Sequence, residues 1–142
     1  MSEVFPDEGL DAVLSVFPKN GANYANLWAG LFTGQSASAV MARTGTLSAC
    51  IAEPSGGSYG RQVVAASNWG APSTSGNGRK VTNAQITFPT ATAPWGTVNG
   101  FFLASASTAG LCIYQANFDD NTGNNIQTND VQKVTPSMQF DG

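Results

Sequence analysis

The sequence predicts a mainly β protein, built as a single antiparallel β-sandwich of the jelly-roll or immunoglobulin-like kind with one short N-terminal helix. Short apolar segments separated by Gly- and Pro-rich turns make up most of the chain, and this spacing is typical of sandwiches and barrels. The length of 142 residues suits one domain. We therefore divide the chain into an N-terminal helical arm, residues 1–20, and a β-sandwich domain, residues 21–142.

The N-terminal helix is predicted from an apolar stripe at positions i, i+3, i+4 and i+7. The stripe consists of Leu10, Val13, Leu14 and Phe17. Asp7 and Glu8 place negative charge at its beginning, and Pro18 ends it. A helix of this length is not stable alone. It packs either on the sheet of its own domain, the commoner use of such a face, or on a neighbouring subunit as an arm.

Strands are predicted for the rest of the chain, and the first of them is apolar on both faces, as a strand covered on both sides would be. The second, third and fourth are bounded by Gly/Pro/Ser-rich loops, and the last contains Pro136, which favours an edge strand or a bulge. The predicted strands are Tyr24–Phe32, Gly45–Ala52, Tyr59–Ala66, Val81–Phe88, Trp95–Ala104, Gly110–Phe118 and Lys133–Phe140.

Composition excludes several classes of function. The sequence has no histidine, so it cannot form a Ser-His-Asp triad, a Cys-His pair or a His-ligated zinc site. Six basic residues against nine acidic ones do not form a phosphate-binding footprint. No apolar run is long enough to span a membrane, and no signal peptide is recognised. We expect no binding to nucleic acid and no membrane partner.

The two cysteines, Cys50 and Cys112, both lie in apolar contexts typical of buried strands. A protein that matures in a reducing cytosol keeps such thiols reduced. We therefore expect two reduced core cysteines rather than a disulfide.

The acidic stretch Asp119–Asp130 is the strongest candidate for a metal site, because its oxygen side chains follow part of the spacing of a calcium loop. Its fifth position is glycine, its sixth is Asn124, and the flanking segments are predicted strands rather than helices. Turn chemistry in an Asn-rich connection explains the same residues. We therefore expect neither a metal nor another cofactor.

Catalysis has no support in the sequence. Asp119 and Asp120 are adjacent and would point to opposite faces of a strand, so they do not form an acid/base pair. The segment Gly56–Gly60 is glycine-rich but is followed by neither a lysine nor a helix, which argues against a phosphate cradle. We expect a protein that is not an enzyme and has no catalytic residues.

Three segments in order carry a resemblance to a known family. The first is Gly-Gly-Ser-Tyr-Gly-Arg-Gln at 56–62, the second ends in Thr-Phe-Pro at 87–89, and the third is Pro-Trp-Gly-Thr-Val at 94–98. Together they resemble the small virion proteins of tailed bacteriophages that are known as tail fibre or head decoration proteins. The resemblance extends from about Gly56 to Phe140.

The resemblance, with a charge-poor and small-residue surface, implies a structural virion protein. We expect a capsid decoration, or cement, protein that binds the outer capsid lattice and stabilises it by mass action. The alternative is a tail-fibre or receptor-binding module that contacts the host surface. The expected partners are the major capsid protein and further copies of the chain, as a homotrimer. The expected location is the outer capsid surface, after synthesis in the bacterial host cytoplasm.

Candidate interface residues lie in the arm, in one loop and in the predicted strand Tyr59–Ala66. In addition to the stripe Leu10, Val13, Leu14 and Phe17, they are Trp69 and Arg61. Trp69 lies in a Ser-Asn-Trp-Gly loop and could anchor an interface. Arg61 could pair with an acidic group of a neighbour, but a bidentate pair within its own chain is the more common use of such an arginine.

Overall fold

The computed structural model describes residues 3–4, 6–9, 26–33, 46–118 and 123–140. These residues form antiparallel β-sheets around two hydrophobic cores, with one short helix at Leu47–Cys50. Residues 7–9 are also helical, at the predicted start of the N-terminal helix. The predicted mainly β, antiparallel fold is confirmed. The boundary at residue 20 lies outside the described residues and stays a prediction.

The strands of the described residues are short. They are β1 (Glu3–Val4), β2 (Asn26–Phe32), β3 (Gln62–Ala65), β4 (Ser73–Ser75), β5 (Gly78–Thr82), β6 (Ile86–Thr87), β7 (Gly96–Val98), β8 (Gly100–Ala104), β9 (Cys112–Asn117), β10 (Asn124–Ile126), β11 (Lys133–Val134) and β12 (Ser137–Phe140). A 3-10 turn at Ala66–Asn68 follows β3.

The largest sheet has five strands in the order β1-β9-β8-β2-β3. Its strand β2 is antiparallel to β3 and to β8. Leu31 of this strand belongs to one hydrophobic core and Phe32 to the other. The prediction of a strand covered on both faces is therefore confirmed for residues 29–32.

The main core lies between one face of this sheet and two two-stranded ribbons, β10-β7 and β11-β6. The sheet contributes small and large apolar side chains, and each strand of the ribbons contributes one apolar side chain. The buried members are Ala29, Leu31, Val64, Phe101, Leu103, Tyr114 and Ala116 from the sheet, Val98, Ile126, Ile86 and Val134 from the ribbons, and Phe88, Ala91 and Trp95 from the loops between them. This layering of strands on strands is that of a sandwich.

A smaller core covers the opposite face of the five-stranded sheet. Its buried residues are Phe32, Leu47, Phe102, Ala104 and Cys112. Leu47 comes from the short helix Leu47–Cys50, where a strand was predicted over Gly45–Ala52. That prediction is wrong, because Leu47 and Ile51 both pack against this core. Their spacing of four residues matches a helical turn, which brings both side chains to one face.

Three predicted strands are each divided in two. The segment 95–104 contains β7 and β8, which belong to different sheets. The segment 81–88 contains the end of β5 and the separate strand β6, because the backbone N–H of Ala84 donates to the Asn68 carbonyl and so leaves the ladder with β12. The segment 133–140 contains β11 and β12, which are separated at Pro136. Proline has no N–H to contribute to a ladder. Strands β5 and β12 then join β4 in a three-stranded sheet of the order β12-β5-β4.

A β-bulge interrupts the pairing of β8 with β9. Leu103 pairs with Tyr114, but the next residue, Ala104, pairs with Cys112, so Ile113 is an extra residue on β9. A bulge of this kind shifts the alternation of side chains along the strand. Tyr114 consequently faces the main core and Cys112 the smaller one.

Candidate functional site

Three aromatic side chains bring together the sequence segments that carry the family resemblance. Tyr59 stacks on Phe88 at a centroid distance of 6.3 Å and an interplanar angle of 6°. Trp95 approaches the Tyr59 ring edge-on, at 5.5 Å and 81°. Such pairs are worth roughly 0.5–1.5 kcal/mol each beyond the burial of their surface. The three motifs are therefore one packed cluster, which we call the Tyr59 cluster.

A left-handed turn precedes Tyr59. Gly56, Gly57 and Ser58 have φ angles of 72°, 59° and 68°, and the Tyr59 N–H donates to the Gly56 carbonyl across 3.0 Å. The Gly57 carbonyl accepts the Trp95 indole N–H at 2.8 Å. A Cβ at Gly57 would lie 2.8 Å from that same nitrogen. Glycine is required there both for the φ angle and for the close approach of Trp95.

Arg61 forms a bidentate ion pair with Glu53. Its Nε donates to Glu53 Oε1 at 3.0 Å and its Nη2 to Glu53 Oε2 at 2.8 Å. The two side chains are 5% and 27% exposed, respectively. A pair of this geometry combines charge with two aligned hydrogen bonds, which is the strongest arrangement available to arginine.

The remaining contacts of Arg61 join this pair to the β8–β9 turn. Its Nη1 donates to the carbonyls of Ala106 and Ala109, each at 2.8 Å. The guanidinium carbon lies 5.1 Å from the centroid of the Phe102 ring, which adds a cation–π contact. Arg61 thus has its partners within its own chain, and it links the loop after the short helix to the turn between β8 and β9.

The Tyr59 hydroxyl completes this network. It donates to Glu53 Oε1 at 2.7 Å and accepts the backbone N–H of Leu31 at 3.0 Å. Burial raises the pKa of the Tyr59 phenol well above its ordinary value of 10.0. The hydrogen bond from Leu31 lowers the pKa and the contact with Glu53 raises it again. The phenol therefore stays protonated and serves as a bridge between the central strand β2 and Glu53.

The chemical role of this network is to fix loops. The Glu53 carboxylate is neutralised by Arg61, and its oxygens accept hydrogen bonds from Tyr59 and Arg61. Sequence analysis identified Tyr59 and Arg61 but missed Glu53. A separation of eight residues across an irregular loop corresponds to no recognisable motif, so only the folded chain shows the pair.

Trp69 lies at the end of the 3-10 turn and is half-buried against the main core. Its backbone forms an isolated antiparallel bridge with Asn83. Asn83 is itself buried, and its Nδ2 has no hydrogen-bond partner among the residues that the structure describes. The structure therefore places Trp69 at the border of the core, with part of its ring at the surface.

The other candidates lie wholly or partly outside the described residues. Leu10, Val13, Leu14 and Phe17 fall in 10–25, and Asp119 and Asp120 fall in 119–122. Within 123–130, Asp130 Oδ2 accepts the Gln127 N–H at 2.8 Å, as in a turn. The residues that the structure describes contain no group of three or more His, Cys, Asp and Glu that could hold a metal ion.

Cys112 is buried and carries a thiol, whose sulfur approaches the Tyr114 carbonyl at 3.6 Å. The side chain of Cys50 is outside the described residues. In the described part of the chain, no helix has both the length and the apolar character needed to cross a membrane.

The exposed apolar side chains were not predicted individually. They are Val63, Leu111, Val131 and Phe140, with exposures of 47%, 37%, 44% and 54%. They lie on different strands and turns, and sequence periodicity over such short segments does not distinguish them from core residues.

The fold and the Tyr59 cluster define a class: a small antiparallel β domain whose glycine-rich loop and buried arginine serve its own architecture. Residues 10–138 match the model of the family described as Podophage GP4 fiber I protein gp80. The chain belongs to this family. The predicted resemblance to small virion proteins of tailed bacteriophages is confirmed, and the chain is a structural phage virion protein of the fibre type. A search of curated proteins finds no match.

Proposed function

We propose that this virion protein is a non-enzymatic decoration subunit, which binds the outer surface of the assembled capsid and stabilises it. A subunit that binds only the assembled lattice shifts the assembly equilibrium by mass action. Its partners are the major capsid protein and further copies of itself, as a homotrimer. Nucleic acid has no part in this binding.

The observation that carries the proposal is a charge-poor surface on a well-fixed β framework. Only 11% of the residues are charged. Arg61 and Glu53 neutralise each other in one internal ion pair. The mostly exposed segments 71–77, which includes β4, and 105–110 consist of small or uncharged residues. Such surfaces suit close packing against repeated protein subunits, where many weak contacts add up.

The family description favours a second candidate, a fibre subunit that contacts the host surface. Both candidates are structural and both use the same fold. They differ in copy number per particle. The copy number of a decoration protein is set by the number of capsid subunits, whereas that of a fibre protein is set by the symmetry of the tail.

Quantitative protein staining of purified particles against the major capsid protein tests the proposal. Near-stoichiometric amounts would support capsid decoration, and a few copies per particle would overturn it in favour of the fibre subunit. Separation of heads from tails before staining gives an independent answer, because a decoration protein must be recovered in the head fraction.

Re-addition of purified protein to heads that lack it provides the functional readout. Since few charges are available, we expect binding to persist when the salt concentration is raised, because screening weakens only interactions between charges. Heads with bound protein should also withstand heating better than bare heads. Equal heat resistance of both would contradict a stabilising role.

A further inference from the structure

One face of the sheet β12-β5-β4 is buried at one end and open at the other. Alternate residues of a strand point to the same face, as do directly paired residues of an antiparallel sheet. The backbone of β5 continues to Asn83, whose N–H donates to the Pro136 carbonyl at 2.8 Å. We call the shared face the Arg79 face. It carries Arg79, Val81 and Asn83 together with their paired residues Phe140, Met138 and Trp69.

The buried end of the Arg79 face lies against the main core. Asn83 is 3% exposed, and Trp69 and Met138 pack against that core with part of each side chain at the surface. At the other end, Arg79 is exposed and Phe140 is 54% exposed. Arginine, aromatic residues and methionine are enriched in protein interfaces, whereas lysine and acidic residues are depleted there. The Arg79 face therefore has the composition of a protein-binding surface.

Arg79 is held in place at this surface. Its Nη1 donates to Thr74 Oγ1 at 2.9 Å and its Nη2 to the Pro72 carbonyl at 3.0 Å. Both acceptors are uncharged, and no acidic side chain in the described part of the chain pairs with Arg79. A guanidinium that is fixed before binding loses little further freedom in a complex. The fitting partner is one that supplies a carboxylate.

The turn 127–131, between β10 and β11, carries such a carboxylate beside an apolar side chain. Asp130 is exposed, and Val131 next to it is 44% exposed. Hydrogen bonds fix the turn, since the Asp130 carbonyl accepts the Ala91 N–H at 2.9 Å and Asp130 Oδ2 accepts the Gln127 N–H at 2.8 Å. An acid beside an exposed valine is complementary to an arginine beside an exposed phenylalanine.

The two surfaces lie at opposite ends of one paired ribbon. Residues 133–134 pair with 86–87, and residues 137–140 pair with 79–82. Phe140 therefore ends the ribbon on one side, and Val131 lies beyond its other end. The chain between them, extended at about 3.3 Å per residue, spans up to about 30 Å. A second copy of the chain can therefore supply the carboxylate that the described residues of the first do not.

We propose that the Arg79 face of one subunit binds the turn 127–131 of a second copy of this chain. Asp130 of one copy then pairs with Arg79 of the other, and Val131 packs against Phe140. A contact between two Arg79 faces would instead place arginine opposite arginine, which is unfavourable. A contact between two different surfaces can repeat around a closed ring, and a homotrimer is such a ring. The inference rests on the proposed self-association and not on the place of the protein in the virion.

Charge reversal tests the contact in solution. The measured quantity is the dissociation constant of the oligomer, obtained by analytical ultracentrifugation of the purified chain. We expect Arg79→Glu and Asp130→Arg each to raise it by about tenfold or more, because like charges then face each other. The double variant Arg79→Glu/Asp130→Arg should recover most of the loss, since it exchanges the two charges. Unfolding at low protein concentration checks each variant as a single subunit, because association stabilises only where copies bind.

Lys80 provides the matched control. It follows Arg79 on β5 but pairs with Gln139 and Ser73 and so lies on the opposite face. Lys80→Glu makes the same change in net charge as Arg79→Glu. We expect it to leave the dissociation constant within about twofold of the parent value, because solvent and salt screen a charge outside the contact.

The apolar half of the contact has its own test. Phe140→Ala should weaken the oligomer several-fold, since it removes an aromatic side chain from the contact. Leu111→Ala is the control, because Leu111 is 37% exposed and lies outside the Arg79 face. Equal effects of the two changes would contradict the proposal.

Four further outcomes would overturn it. The parent could sediment as a monomer at every concentration, or Lys80→Glu could weaken the oligomer as much as Arg79→Glu. The losses of the two single variants could add in the double variant, which would show that Arg79 and Asp130 do not meet. Finally, Arg79→Glu could leave the oligomer intact and abolish binding to purified heads, which would assign the face to the capsid protein. Because self-association is measured without heads, its failure leaves the copy-number test of capsid decoration unaffected.

Discussion

Gly30 on β2 and Phe102 on β8 are direct partners, and the Phe102 ring occupies the space that a Cβ at Gly30 would need. The same relationship is repeated in reverse, because Phe32 and Gly100 are partners and the Phe32 ring lies over Gly100. The Arg61 guanidinium lies over the Phe102 ring as well. The two glycines thus allow two large rings to lie flat on the sheet and fill the smaller core.

Substitution of Gly30 by alanine should therefore destabilise the protein. The added methyl group forces the Phe102 ring to move, and overpacking of this kind costs about 1–3 kcal/mol. Urea denaturation measures the loss. Gly60→Ala is the control, because its Cβ would meet nothing within 4 Å, and it should leave stability nearly unchanged.

A double variant shows whether the loss comes from this clash. Gly30→Ala/Phe102→Leu should lose less stability than the sum of its single changes, since the smaller side chain leaves room for the methyl group. Additive losses of stability would mean that the methyl group at position 30 and the side chain at position 102 do not compete for the same space.

Because Arg61 forms a buried ion pair, we expect its substitution to lower the free energy of unfolding far more than substitution of an exposed arginine. Arg61→Met leaves Glu53 without its counter-charge and frees two carbonyls, so we expect a loss of about 3 kcal/mol. Arg79→Met is the matched control, because Arg79 is exposed and its side-chain hydrogen bonds within the described part of the chain go to Thr74 and Pro72 of its own hairpin. Its loss should stay within about 0.5 kcal/mol. Similar unfolding midpoints for the two variants would contradict the assigned role of Arg61.

The raised pKa of Tyr59 predicts a loss of stability at alkaline pH. In the unfolded chain the phenol ionises near its ordinary value of 10.0, whereas in the folded protein it stays neutral. Above that pH the unfolded state releases a proton that the folded state retains. Stability should therefore fall by up to about 1.4 kcal/mol per pH unit from this group.

Tyr59→Phe isolates this contribution. The variant should be less stable at neutral pH by about 1–3 kcal/mol, because the Leu31 N–H loses its partner. Its stability should then fall less steeply than that of the parent above about pH 10. Chemical denaturation at a series of pH values gives both quantities, and parallel curves would show that Tyr59 ionises normally in the folded protein.

Gly56 and Gly57 form a second matched pair. Both have positive φ angles, but a Cβ at Gly56 would meet nothing within 4 Å, whereas one at Gly57 would meet Trp95 and the Ala93 carbonyl. Gly56→Ala should cost about 1 kcal/mol for the left-handed backbone alone. Gly57→Ala should cost roughly 1–3 kcal/mol more, since the Trp95 ring must move. Equal losses in thermal unfolding would show that Trp95 has room to adjust.

Local sequence patterns predicted a substantial part of the fold. The two-sided apolar pattern at 26–32 identified the central strand. The predicted strands 95–104 and 110–118 also placed the connection between β8 and β9 correctly. The proline at 136 marked the point where two short strands separate. Each of these features depends on residues close together in the chain.

Features that depend on distant residues were not predictable. The helix at Leu47–Cys50 lies in a segment that also fits a strand, and its conformation is set by packing on Phe32 and Phe102. The link from Glu53 through Tyr59 to Leu31 joins a loop to a strand earlier in the chain. The bulge at Ile113 likewise corresponds to no local sequence pattern, yet it determines which of the two cores contains the Cys112 side chain.

The order of strands in the five-stranded sheet has a consequence for synthesis on the ribosome. Strand β2 finds its neighbours at residues 62–65 and 100–104, β1 pairs with residues of β9, and Glu8 bonds to a residue 104 positions later. The inner pairs of the sheet cannot form until β8 and β9 have been made. Because closing such long loops precedes the gain from strand pairing, we expect the five-stranded sheet to be completed slowly, and only after the segment through Asn117 has left the ribosome.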